Sequence, residues 1–162
     1  MVTPITDNPF AVLTLIAAPA VFTNASSVLA LGTGNRLART VDRTRQLAKE
    51  LHAHPPDAEE APLWGRQIDR LQIRAKLLVR AMSFFYTAVG AFAAASLVSV
   101  LGASLAASEY RMSFATIAGI SLVAGAVGFI GLVVGCALLV RETRLALVTL
   151  SEEAKLAQNW LK

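Results

Sequence analysis

The sequence predicts an all-α integral membrane protein with three transmembrane helices that extend into a cytoplasmic helical bundle. Three observations predict it. Residues 8–35, 81–108 and 112–140 contain no Asp, Glu, Lys or Arg, and each run exceeds the roughly 20 helical residues that cross a bilayer core. Hydrophobic residues make up 55% of the chain and its mean hydropathy is +0.56. Of 15 Lys and Arg residues, all but Arg111 lie between the first two runs or after the third. In lipid the backbone must satisfy its own polar groups, so continuous apolar runs read as helices. A transmembrane barrel would alternate instead. At 162 residues the chain is expected to be one domain. Its spans are expected at about 10–32, 82–107 and 113–140, joined by a cytoplasmic hairpin at about 35–80 and followed by a cytoplasmic helix at about 141–161.

The first run reads as a retained span rather than a signal peptide, because residues 1–9 carry Asp7 and no Lys or Arg, whereas a signal peptide starts basic. Its interior is polar for a span, with Thr14, Pro19, Thr23, Asn24, Ser26 and Ser27. Pro19 lacks the N–H that would hold the Leu15 carbonyl. Asn24 needs a partner or water. Phe10, Leu13, Ala17, Ala20, Asn24, Ser27 and Leu31 follow at steps of 3 or 4 and share a face. Arranged around a symmetry axis, that face would give an apolar gate, a polar middle and a basic mouth at Arg36, Arg39 and Arg43. Alternatively, Asn24 and its neighbours bond other helices within the fold.

The hairpin reads as two helices. Leu37, Val41, Thr44, Ala48 and Leu51 make one stripe, and Trp64, Ile68, Leu71, Ala75 and Leu78 the other. The helices break at His54-Pro55-Pro56-Asp57. Pro62 suits a first helical turn, and Glu59 and Glu60 suit the positive end of the helix dipole. Arg39 with Asp42 and Arg66 with Asp69 are spaced to pair along a helix, each for about 0.2–0.5 kcal/mol. Leu147, Leu150, Ala154, Ala157 and Leu161 repeat the stripe after the third run. Each extension is about 20 Å long, or about four turns. Together they can close a small bundle within one subunit or between subunits. Gly32 and Gly34 are positioned to bend the first helix, and Trp160 to anchor the third.

Small residues mark the other two spans. Ser83, Thr87, Ala91, Ala95, Ser99, Ala103 and Ala107 recur every four positions, and the third span carries Gly125, Gly128, Gly131 and Gly135. Such residues let helix backbones approach closely in lipid. The approach is either within one subunit or between copies, and a homo-oligomer is expected. The lone cysteine, Cys136, excludes an intrachain disulfide.

The basic residues read as topology. Their asymmetry puts the amino terminus outside and the carboxyl terminus in the cytoplasm. Anionic lipid headgroups are the expected partner of these charges and nucleic acid is not. No catalytic constellation, cofactor motif or metal site is expected. His52 and His54 lie in a turn without a cysteine ligand nearby, and none of the uncharged runs holds a group for a proton relay.

The string Asn35-Arg36-Leu37-Ala38-Arg39-Thr40-Val41-Asp42-Arg43 resembles the hallmark of domain-of-unknown-function family 2721. The resemblance extends to Ala18-Pro19-Ala20, to the Arg66 to Arg80 approach, and to Arg141-Glu142-Thr143-Arg144-Leu145-Ala146-Leu147. It implies a small bacterial membrane protein with three spans, for which the cytoplasmic membrane is the expected setting, and it singles out Asn35, Arg36, Arg39, Asp42 and Arg43. It implies no activity.

The expected function is an oligomeric ion channel lined by the first helix, with those arginines as a vestibule. The alternative is a non-conducting scaffold or accessory protein whose cytoplasmic bundle binds a partner or anionic lipid. An enzyme is not expected.

Overall fold

The computed structural model describes residues 9–53, 61–106 and 111–160, with side chains over 17–53, 64–102 and 116–149. They form three α-helices: α1 (Pro9–Ala53), α2 (Ala61–Ala106) and α3 (Arg111–Trp160). No strand occurs among the described residues. α1 passes through Pro19, Gly32 and Gly34 as one helix. Thr23 Oγ1 donates to the Pro19 carbonyl at 2.9 Å, so the proline turn carries an extra hydrogen bond. Pro62 stands in the first turn of α2, where its missing N–H leaves no helical bond unmade. The expected break at His54-Pro55-Pro56-Asp57 lies outside the described residues, as do Glu59 and Glu60.

Three transmembrane helices above a separate bundle is not what the structure contains. Among the described residues two helices are apolar and long enough to cross a membrane, over Trp64–Gly102 and Thr116–Thr149. α1 is not one of them. Pro19, Thr23, Asn24, Ser26 and Ser27 interrupt its apolar side chains, and Phe10 and Leu13 lie outside the described side chains. Nor does the structure contain the separate bundle expected after the spans. The chain forms two compact units, residues 1–30 with 84–134 and residues 31–83 with 135–162, and the same three helices supply both.

In the first unit, α2 buries Phe85, Ala88, Phe92, Ala95 and Ser99 at alternating steps of 3 and 4, the spacing of helices packed knobs-into-holes. Phe22 of α1 stacks on Phe92 with ring centroids 5.3 Å apart and meets Phe129 of α3 edge-on at 6.3 Å. Such ring pairs add to the burial of their area. α3 contributes glycines at the closest approaches. A Cβ on Gly128 would lie 2.9 Å from the Phe92 ring, and one on Gly131 would lie 3.2 Å from the Phe84 carbonyl oxygen. The Ser99 and Ser121 hydroxyls meet at 2.7 Å, and Ser121 Oγ is 3.1 Å from the Ala95 carbonyl. Two hydroxyls and a carbonyl thus satisfy one another across α2 and α3.

The small residues of α2 do not form one face. Ala95 and Ser99 are buried and Ala91 is half-buried, but Ser83 and Thr87 are exposed. A step of four residues advances a helix by about 40° beyond a full turn, so the six steps from Ser83 to Ala107 drift by about 240° around it. Ala103 and Ala107 lie outside the described side chains.

In the second unit the buried positions are Thr33, Thr40 and Leu47 of α1, Leu71, Leu77, Leu78 and Ala81 of α2, and Gly135 and Glu142 of α3. Half-buried Leu37, Thr44 and Leu51 fill the intervening α1 positions. Thr40 Oγ1 donates to the Arg36 carbonyl at 2.9 Å and Thr44 Oγ1 to the Thr40 carbonyl at 2.8 Å. Satisfied within their own helix, these hydroxyls leave the threonine methyls to pack. The expected stripe through Val41 and Ala48 is half-buried rather than central.

Gly131→Val should destabilise the protein by about 1–3 kcal/mol, since the facing atom is backbone and cannot swing aside. Gly125→Ala has nothing within 4 Å of the new Cβ and should be neutral or stabilising by up to about 1 kcal/mol. Thermal unfolding in a mild detergent measures both.

Candidate functional site

The division into units coincides with a division of charge. The first unit contains Asp7, Glu109 and Arg111, and every other charged residue of the chain belongs to the second. Within the second unit one carboxylate organises the arginines.

Glu142 lies seven residues after buried Gly135 on α3, two turns on and in the same packing register. That register carries its side chain inward, to 2% exposure. An unpaired buried carboxylate is very costly. Here α2 answers it with Arg74, whose Nη2 is 2.8 Å and whose Nε is 2.9 Å from Glu142 Oε1. Both nitrogens grip one oxygen. The other oxygen, Oε2, faces Arg36 Nη1 of α1 at 3.5 Å. Arg36 also donates to Thr143 Oγ1 at 3.2 Å, and Thr143 in turn donates to the Leu139 carbonyl at 2.9 Å. One acid therefore ties the three helices together. The tie is uneven: the Arg74 side chain is 24% exposed and that of Arg36 is 54% exposed.

Beside this clasp lies a groove of about 460 Å³. α1 lines it with Arg36, Arg39, Thr40 and Arg43, α2 with Leu71 and Arg74, and α3 with Glu142, Thr143 and Ala146. Four guanidinium groups thus face a single carboxylate, which two of them already hold. Arg39 and Arg43 form no ion pair among the described residues, and Asp42 is exposed and does not line the groove. The expected pairs of Arg39 with Asp42 and Arg66 with Asp69 are not formed. Repulsion within the groove therefore goes unrelieved by local acids. The volume falls within the range of small-molecule sites, about 300–1,000 Å³.

Of the residues singled out in the sequence, Arg36, Arg39 and Arg43 come together in this groove, while Asn35 is exposed. The face proposed to line a pore is exposed along Ala17, Ala20, Asn24, Ser27 and Leu31. Ser27 Oγ donates to the Thr23 carbonyl of its own helix at 2.9 Å. Asn24 makes no hydrogen bond to another helix among the described residues. Ala95, Ser99, Gly128, Gly131 and Gly135 are buried, Ala91 is half-buried and Ala103 lies outside the described side chains. His52 Nδ1 lies 2.7 Å from the Ala48 carbonyl, and His54 is outside the described residues. Arg74 and Glu142 were not singled out as site residues, although a signal existed. Glu142 is an isolated acid two residues beyond a long uncharged run, in register with Gly128 and Gly135.

The family described as "Protein of unknown function (DUF2721)" matches residues 16–152 of the chain. No curated protein and no solved structure matches it.

Removing either side of the clasp should have unequal effects. Arg74→Gln strands a buried carboxylate and should cost about 3 kcal/mol. Glu142→Gln strands guanidiniums that reach water and should cost about 1–2 kcal/mol. Arg36→Gln should cost less than about 1 kcal/mol, as for a solvated pair. Chemical unfolding of the three variants in one detergent tests this order.

Proposed function

The chain belongs to the DUF2721 family, and we propose that this member is a non-conducting membrane scaffold or accessory protein whose arginine-rich unit engages an anionic surface. The observation that carries this reading is the coincidence of structural unit and charge. All but one of the Lys and Arg residues belong to the unit that also contains the Glu142 clasp. The other unit exposes large apolar side chains, among them Leu97, Leu122, Val123 and Ile130. Water would not favour such a surface, and lipid tails would.

The concentration of basic residues favours the cytoplasmic side for the second unit. A bacterial cytoplasmic membrane is the setting we propose. The amino terminus, expected outside from the charge asymmetry and a first span, lies beyond the described residues. The reading is one of binding rather than catalysis. Arginines are poor proton-transfer groups, and the one acid among them in the groove is held by two of them.

The pore reading needed α1 to cross the membrane as a lining helix, a crossing that the described residues of α1 do not supply. Planar bilayers containing the purified protein should therefore carry no more current than protein-free bilayers. Reproducible unitary currents would overturn the non-conducting reading. In a Cys136→Ser background, Arg45→Cys should react with a membrane-impermeant maleimide only from the cytoplasmic face, and labelling of intact cells from outside would reverse the orientation.

A further inference from the structure

We infer that the groove between Arg36, Arg39, Arg43 and Arg74 is a discrete binding site for a phosphate group. The inference deepens the scaffold reading and rests on it for the side of the membrane on which the site opens. Three features point to the ligand.

The first is surplus charge with nothing to balance it. Arg36, Arg39 and Arg43 lie at steps of 3 and 4 along α1, so their guanidiniums share one helix face. Like charges so placed repel one another. Among the described residues the one acid lining the groove is Glu142, and both its oxygens are already engaged. A multiply charged anion relieves this arrangement better than a carboxylate, which brings one charge and two oxygens.

The second is donor chemistry. Thr40 and Thr143 line the groove, but each hydroxyl donates within its own helix. The donors left for a ligand are the guanidinium N–H groups of Arg39 and Arg43 and the exposed part of Arg36. Arginine presents a planar fork that matches two oxygens of a phosphate at once.

The third is the wall. Leu71 and Ala146 give the groove an apolar side, so a phosphate seated there has space beside it for a carbon skeleton. Basic pockets between helices at a membrane surface suit anionic headgroups for these reasons. Arg74 is not needed as a ligand. It holds Glu142 Oε1 at 2.8 and 2.9 Å, while Arg36 meets Oε2 through Nη1 at 3.5 Å from a side chain that is 54% exposed, which leaves its remaining N–H groups for the anion.

A phosphate could arrive as a phospholipid headgroup or in solution, and one experiment separates the two. Full-length protein in a neutral detergent is titrated by calorimetry with inorganic phosphate, dihexanoyl phosphatidic acid, dihexanoyl phosphatidylglycerol and dihexanoyl phosphatidylcholine. The site predicts saturable binding of one phosphate-bearing anion per chain. The double variant Arg39→Gln, Arg43→Gln should weaken it at least tenfold. Neither residue is ion-paired among the described residues, so this variant should keep its fold, which circular dichroism checks. A control double variant, Arg66→Gln with Arg141→Gln, removes two arginines outside the groove and should change affinity less than twofold. Tighter binding of the two anionic lipids than of inorganic phosphate assigns the site to a headgroup, and equal binding assigns it to soluble phosphate. Equal weakening by both double variants would overturn the discrete site while leaving a diffuse basic surface. Absence of saturable binding to every anion would overturn the site, and absence of any salt-sensitive association with anionic lipid as well would overturn the scaffold reading too.

Discussion

Glu142 is a carboxylate at 2% exposure with guanidiniums from two other helices on its oxygens, and the second unit is arranged around that requirement. A charge taken out of water has to be met by opposite charge and hydrogen bonds in good geometry. Meeting it fixes the register of α2 and α3 through Arg74 and draws the basic face of α1 in through Arg36. A buried ion pair contributes little net stability relative to well-packed apolar residues. Its value here is in specifying which faces meet. The same requirement explains why Arg39 and Arg43 are left facing a groove: the one acid available is spoken for.

Packing explains how an acid came to be inside. The buried positions of α3 run through Gly128, Gly131 and Gly135 to Glu142 at spacings of 3, 4 and 7. Glycine where Phe92 and the Phe84 backbone approach lets α2 and α3 lie close in the first unit. In the second unit the seam of α1 is built from threonines as well as leucines, since hydroxyls bonded to the preceding turn leave a side chain that packs much like valine. The small glycine positions of the first unit suit lipid, where apolar bulk alone gives helices no reason to associate.

The three helices were legible from charge and length alone, and so was the division between an uncharged and a charged part. Arg36, Arg39 and Arg43 were legible as a cluster because their 3–4 spacing is a property of one helix. Their partner was not, because Arg74 and Glu142 are distant in sequence and meet only once α2 and α3 have packed. The run of small residues on α2 misled in a different way. Spacing of four reads as a face over two or three turns and drifts off it over seven. The first span misled because freedom from charge is a weaker criterion than apolarity: Pro19, Asn24 and the nearby hydroxyls leave the described part of that uncharged run less apolar than the spans of α2 and α3. The α1 seam was half seen. Leu37, Thr44 and Leu51 were on it, but Thr33 and Thr40 were passed over in favour of the more apolar Val41 and Ala48.

The most direct test of this account is a double-mutant cycle between Arg74 and Glu142, using Arg74→Gln, Glu142→Gln and the combination, with unfolding free energy in detergent as the readout. If the clasp is the organising contact, the two changes should be strongly non-additive, with a coupling of about 1–3 kcal/mol and a combined variant more stable than Arg74→Gln alone. Additive losses would mean that the two side chains do not depend on each other, and the account of the second unit built on their pairing would be wrong.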